Sequence, residues 1–514
     1  MLCILPTAAN PARGAEQVSI SYAAFERSIK IEALDLYAKE GRVTDDLASY
    51  TRYFNSEQLA QLRKGLRTRV NLDPITVSQF LYSPIGERLL YRLGEVIQTP
   101  SRQSGFYALR AALILAAAEP EGLTALSALR QFPTQGIHVD LAKALNILQG
   151  IEKLVNQTAI AVTTVRNKPQ AADSSVAVDT DISQVHGLQA GGPFAWQKET
   201  LLLNDTNRMR LGRSGSTRTF LADIYLPEVA QLRPLPVIVL SHGLGSDRLT
   251  YDYLAEHLAS YGFVVAVPEH PGSSAQQLLA LLDGQAREVA EPTEFVDRPL
   301  DIKFLLDELS WRSRSDPTFY RRLNLEQVGV IGHSFGGYTA LALAGAKLNF
   351  EQLKHDCGKN LDHSLNVSLL LQCRALTLPK QNYDLYDPRV KAVIAMSPVD
   401  RSIFGSSGLS QIKIPVMLIA GSADTVAPAL LEQIQPFTWL TTSQKYLMVI
   451  EGATHFSTTG EAALSSGVFP VPPAIVGPAA NLARSYVDAL SVAFFQTYVA
   501  NQPLYARYLT RAYA

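Results

Sequence analysis

The sequence has no surplus of either charge. Its 514 residues carry 46 lysines and arginines against 47 aspartates and glutamates, a formal net charge of −1. Nothing basic is available to neutralise a phosphate backbone, so nucleic acid is not expected as a partner, and there is no acidic tail. Long apolar runs are also missing. The longest candidate, AALILAAA from Ala111 to Ala118, falls far short of the roughly 20 residues that span a bilayer, so no transmembrane segment is expected. Cysteine is scarce, with three residues, and no Cys/His spacing resembles a zinc site, so no metal is expected. Cys3 stands near the start. Cys357 and Cys373 share one stretch, HDCGKNLDHSLNVSLLLQC, and read either as a local disulfide of an exported protein or as two free thiols.

What is present is an ordinary globular composition, 47% apolar and 18% charged, on a chain long enough for two or three domains. Residues 1–15 place a short apolar patch, Leu2 to Leu5, before the small residues of Ala12-Arg13-Gly14-Ala15. Without a basic n-region they read as a plain tail, or as the stump of a signal peptide that starts further upstream, which suggests export from a bacterium. Residues 16–166 predict a mostly helical domain after a short hairpin (VSISY, then FERSIKI). Ser56 and Asp73-Pro74 read as helix starts. Further helices are expected over about 105–118, 122–131 and 139–165, with Pro133 and Gly136 as a break. No motif there carries chemistry. Residues 167–195 lack periodicity and read as a linker.

From Trp196 the pattern changes. The runs TFLADIY, PVIVLSH, FVVAVPEH, QVGVIGHS, VKAVIAMS, IPVMLIAG and KYLMVIEG alternate with helical segments. Five of those from PVIVLSH onward lack polar alternation, as strands buried on both faces do. Residues 196–514 therefore predict a doubly wound, mostly parallel α/β sheet with an insertion at 349–389. Ligands of such sheets bind beyond the carboxyl ends of the strands.

The chemistry-bearing residues fall at those ends. VGVI runs into Gly332-His333-Ser334-Phe335-Gly336-Gly337 and a helix, which is G-x-S-x-G in its strand–turn–helix setting. Ser334 is the candidate nucleophile, lifted above the sheet by a turn that Gly332 and Gly336 make sterically feasible. A serine needs a base. Of the histidines downstream, His355 and His363 lie in the insertion, while His455 follows a strand in GATHFS and is the expected base. The acid to orient it is Asp424, after IPVMLIAG, with Asp400 in AMSPVD as the alternative one strand earlier. The oxyanion donors are expected to be the backbone N–H groups of Phe335 and of Leu244 in SHGLGSDR.

These residues carry a resemblance. SHGLGSDRLTYDYLAEHLASYGFVVAVPEHPGSS, RPLDIKFLLDEL and VGVIGHSFGGYTAL resemble the platelet-activating-factor acetylhydrolase and dienelactone-hydrolase branch of the α/β-hydrolase fold. The match is good over about 235–345 and loose over the rest of the sheet domain. The whole architecture, including SQFLYSPIGERLLYRLGEVIQT and GFYALRAALILAAAEPEGL, is similar to bacterial predicted hydrolases with a helical N-terminal domain of unknown function, often exported. The resemblance implies hydrolysis of a small-molecule or lipid ester through an acyl-enzyme, without metal or organic cofactor. Ser334, His455 and the Leu244 and Phe335 amides carry over by motif. The acid departs: the acetylhydrolase branch places it where this chain has Ser397 and Asp400, while Asp424 follows the more general pattern. Dienelactone hydrolases use a cysteine nucleophile, and Ser334 argues against that activity. Acyl transfer or thioester cleavage by the same residues, and a non-catalytic binding scaffold, are the other readings. Either the insertion or the Pro-rich SSGVFPVPPAIVGP after His455 could roof the site and favour an apolar group, the second reading otherwise as a surface loop packed on the body.

Overall fold

The computed structural model describes residues 14–510 except 24, 52–53, 168–186, 207, 209–216, 231–232, 359–360, 362–363, 462, 464–470 and 479. The leader read at 1–15, apart from its last two residues, and most of the linker read at 167–195 lie outside the described residues. The chain divides into two compact units, 1–153 with 280–288, and 154–279 with 289–514.

The first unit combines a small sheet with helices. β1 (Gln17–Tyr22) and β2 (Phe25–Lys30) form the expected hairpin, pairing Val18 with Ile29. β3 (Ile97–Gln98) and β4 (Gly136–Asp140) complete a four-stranded sheet in the order β2-β1-β4-β3, with β1 and β4 parallel. The sequence reading missed β4 and treated its neighbourhood as a break, because its pairing partner is distant in the chain and its run is short. The helices are α1 (Ile31–Glu40), α2 (Asp45–Thr51), α3 (Ser56–Arg67), α4 (Pro74–Tyr82), α5 (Pro84–Val96), α6 (Phe106–Ala117) and α7 (Ala125–Arg130), before α8 (Leu141–Asn167) carries the chain onward. The start of α3 is one residue earlier than read. Asn55, not Ser56, is the cap, and Asn55 and Gln58 bond each other's amides in a capping box. Asp73 caps α4 through the amides of Ile75 and Thr76, ahead of Pro74 at the first helical position. Leu34, Ala38, Leu90, Ala112 and Phe132 fill the core between them.

The second unit is built on an eight-stranded sheet in the order β12-β11-β10-β9-β7-β8-β6-β5. Its strands are β5 (Trp196–Asp205), β6 (Arg218–Pro227), β7 (Leu235–Ser241), β8 (Val264–Pro268), β9 (Leu323–His333), β10 (Val390–Met396), β11 (Val416–Gly421) and β12 (Lys445–Ile450). β7 to β12 pair in parallel; β6 and β5 run antiparallel at one edge. The both-faces-buried runs of the sequence are β7 to β11, and β5 is the strand the sequence hid. After Trp196, which packs half-buried against Tyr225, its first half is polar and exposed, and of its leucines only Leu201 and Leu203 are buried. The crossovers carry α9 (Asp252–Ser260), α10 (Ala275–Leu282), α11 (Glu294–Ser315), α12 (Phe335–Leu343), α13 (Phe350–Asp356), α14 (Leu369–Gln372), α15 (Arg401–Leu409) and α16 (Gln435–Trp439). A last helix, Ala480–Tyr498, packs Val487, Phe494 and Phe495 into the core under β10 and α9.

The chain leaves β7 to one side for β8 and returns to the other side for β9. That reversal puts the carboxyl ends of β7 and β9 at the switch point of the sheet, where crevices open in such folds. The turns after these two strands hold Leu244 and Ser334.

Candidate active site

β9 ends at His333 and the chain turns within one residue into α12. Ser334 makes that turn with φ +55° and ψ −114°, a backbone state that costs about 1–3 kcal/mol and persists only where its surroundings enforce it. Here they do. The Ser334 N–H donates to the Met396 carbonyl at 2.8 Å. A Cβ at Gly332 would lie 2.1 Å from the Gly336 carbonyl oxygen, and one at Gly336 would lie 1.9 Å from that of Ser241. The turn closes only because both positions lack a side chain.

Asp424 follows β11. Its Oδ1 accepts the amides of Val426 and Ala427 at 2.8 and 2.7 Å, and its Oδ2 faces His455 Nδ1 at 2.7 Å. Burial works to raise this carboxyl, but the His455 imidazole and the two amides outweigh it and hold Asp424 below the usual carboxylate range. With a carboxylate on Nδ1, that nitrogen carries the proton and Nε2 is left as a proton acceptor. Nε2 has no hydrogen-bond partner among the described residues. Ser334 Oγ makes no hydrogen bond to it among the described residues.

His333, read from the sequence only as part of the elbow, fixes the His455 loop. Its Nε2–H donates to the His455 carbonyl at 2.9 Å, and the two ring centroids lie 4.7 Å apart. Burial, then the neighbouring His455, pushes His333 down to about 3, so it stays neutral. On the other side of the loop, Thr454 Oγ1 donates to the Ile475 and Val476 carbonyls at 2.7 and 2.9 Å. The described end of the Pro-rich stretch therefore flanks His455, while its residues 465–470 lie outside the described residues.

Asp400 does not meet His455. It follows β10 with both oxygens buried and without a partner among the described residues. Burial, then the charge of Glu432, pushes its pKa well above the usual value. Glu432 takes the amides of Asp400 and Arg401 at 2.8 and 3.0 Å. His355 lies on α13 in the insertion, exposed and beside Asp356, and His363 falls outside the described residues.

The insertion braces the turn that carries Asp424. Cys357 and Cys373 are joined in a disulfide. Within the ring they close, the Ser368 N–H donates to the Val426 carbonyl at 2.8 Å. Gln372, beside Cys373, accepts the Ser402 and Ile403 amides at the start of α15, both at 2.9 Å.

The N–H groups of Leu244 and Phe335 donate to no acceptor among the described residues. Gly243 brings the Leu244 loop against the elbow; a Cβ there would lie 3.5 Å from Ser334 Cβ. Beneath this loop runs a polar network that the sequence reading did not find. His270 Nδ1–H donates to Asp301 Oδ2 at 2.9 Å, and His270 Nε2 receives the Ser241 hydroxyl at 3.0 Å. It looks like a second serine–histidine–aspartate row, but all three residues are fully buried, so no substrate can reach Ser241. Asp301 is gripped by Arg218 at 2.8 and 2.7 Å. The His270 N–H donates to His242 Nε2 at 3.0 Å, and His242 Nδ1–H donates to the Gly243 carbonyl at 2.8 Å. Among the described residues no group of His, Cys, Asp and Glu is arranged to hold a metal, and no helix is long and apolar enough to cross a membrane.

The sheet and the serine elbow at its switch point are those of the α/β-hydrolase fold, and parts of the chain are similar to hydrolases of that fold, platelet-activating factor acetylhydrolase among them. Residues 14–140 match a family model described as an alpha/beta hydrolase of unknown function (DUF1400). Residues 226–304 match that of platelet-activating factor acetylhydrolase, isoform II. Cutinase 2 of Thermobifida cellulosilytica is 22% identical over 325 residues, covering 62% of this chain and 84% of that protein. Cutinase cut1 of Thermobifida fusca is 22% identical over 325 residues, covering 62% and 69%. The platelet-activating factor acetylhydrolase of Cavia porcellus is 29% identical over 155 residues, covering 25% and 34%.

Proposed function

We propose that the protein is a serine hydrolase that cleaves carboxylic esters of moderately apolar substrates through an acyl-enzyme. Ser334 attacks the ester carbonyl as His455 Nε2 takes its proton, and Asp424 holds the imidazole in the accepting tautomer and stabilises its charged form. The Leu244 and Phe335 amides receive the oxyanion. The alcohol leaves with the proton from His455, and a water activated by the same nitrogen releases the acid. The observation that carries this reading is the 2.7 Å contact between His455 Nδ1 and Asp424 Oδ2 beside the strained Ser334 elbow. The similarity to cutinases and acetylhydrolases supports an ester substrate, and the Cys357–Cys373 disulfide supports an exported protein.

The test is turnover of p-nitrophenyl esters of increasing acyl length. Wild type is expected to be active, with the preferred chain length sizing the acyl site. Ser334→Ala should abolish turnover, Asp424→Asn should lower kcat by about 10³- to 10⁴-fold, and Asp400→Asn should retain it. Equal loss in the two aspartate variants would reject Asp424 as the sole acid.

A further inference from the structure

Arg298, in the first turns of α11, is fully buried and forms no ion pair among the described residues. Its guanidinium spends its donors on neutral oxygens instead. Nη1 donates to Ser273 Oγ at 2.7 Å, Nε to Thr339 Oγ1 at 3.2 Å and Nη2 to the His242 carbonyl and, at 3.5 Å, to Ser241 Oγ. Glu294 is reached through a hydroxyl, since Ser273 Oγ donates its own proton to that carboxylate at 2.6 Å. A buried cation without a directly paired carboxylate is costly, and a fold keeps one where the charge has a use.

The position of this charge indicates its use. The His242 carbonyl that it holds belongs to the peptide unit just before the one that carries the Leu244 N–H. On the opposite side, the guanidinium lies 4.6 Å from the centroid of the Phe335 ring, whose residue supplies the other candidate donor. One side chain thus ties the two halves of the anion cradle together. Burial, opposed by Glu294 and Asp301, lowers the guanidinium only to about 10, so it remains charged at neutral pH.

We propose that Arg298 is a positioning residue for the oxyanion hole: it aligns the Leu244 and Phe335 amides, and its charge, held without a direct ion pair, favours the negative oxygen of the tetrahedral intermediate. The inference rests on the esterase reading above. A group that acts only when the oxyanion forms alters kcat and leaves KM in place.

The experiment measures p-nitrophenyl ester kinetics of wild type, Arg298→Met and Arg298→Lys, each corrected for its folded fraction by circular dichroism, together with the affinity for an alkylboronic acid that forms a tetrahedral adduct on Ser334. Arg298→Met is expected to lose on the order of 100-fold in kcat with KM within about threefold, and to lose boronate affinity in parallel. Arg298→Lys, which keeps the charge but not the geometry, should fall between the two. Unchanged kcat per folded molecule in Arg298→Met would overturn the inference; should that variant fail to fold, unchanged kcat and boronate affinity in Arg298→Lys would do so. A wild type silent on every ester would overturn the esterase reading and this inference with it, whereas active wild type with unaffected variants overturns this inference alone.

Discussion

His333 shows how one buried side chain couples geometry to pH. Folded, it titrates at about 3; unfolded, it returns to about 6.5. Its folded pKa is the lower one, so the unfolded chain binds more protons below pH 6.5 and stability falls as pH drops from there towards 3, by about 1.4 kcal/mol per unit. His270, held at about 4 by burial and by Arg298, adds a second slope of the same sign. Urea midpoints should therefore drop steeply between pH 6.5 and 5. His333→Gln, whose amide can still donate to the His455 carbonyl, should flatten that dependence by about one histidine's worth. A variant that keeps the full wild-type slope would show that His333 is not among its sources. At this scale the sequence was partly readable. Ser334, Asp424 and His455 stand in short motifs at strand ends, where spacing implies role. Arg298 grips a carbonyl 56 positions away, and His270 reaches Asp301 across 31, and no local pattern announces such pairs.

Among the elements, α11 carries a proline, Pro299, inside its span. A proline has no N–H for the carbonyl four residues back, so the Phe295 carbonyl loses its usual helical donor. The Tyr338 hydroxyl of α12 donates to that carbonyl at 2.5 Å, and the Tyr338 ring stacks on Phe404 with centroids 5.0 Å apart. Tyr338→Phe keeps the stacking and strips the donor from a buried acceptor, so it should cost about 1–3 kcal/mol. Denaturant unfolding measures this directly; a loss under about 0.5 kcal/mol would mean that the carbonyl finds another partner. The strands were legible in proportion to their burial. β7 to β11 are apolar on both faces and stood out as continuous runs. β5 is an edge strand half exposed to solvent, and β4 is five residues long with its partner at the start of the chain, so neither left a periodic trace.

For the whole molecule, the boundary at the linker was drawn from composition. Residues 188–194 pack on α9: His257 Nε2–H donates to the Leu188 carbonyl at 2.9 Å, and the Phe194 N–H donates to the Ser260 carbonyl at 3.0 Å. We expect limited proteolysis in the linker read at 167–195 to leave a stable C-terminal fragment that retains the sheet. Mass spectrometry of the digest gives the cut site, and complete degradation of the C-terminal part would refute an independently folding sheet unit. The disulfide bears on how such a protein matures. The two cysteines stand 16 residues apart, which confines about 3 kcal/mol of cross-link stabilisation to a small ring. No strand of the eight lies inside that ring. A cytosol that keeps thiols reduced would thus be expected to produce the sheet whole and leave only the brace around Ser368 and Gln372 slack, so oxidation finishes the molecule without being needed to fold it.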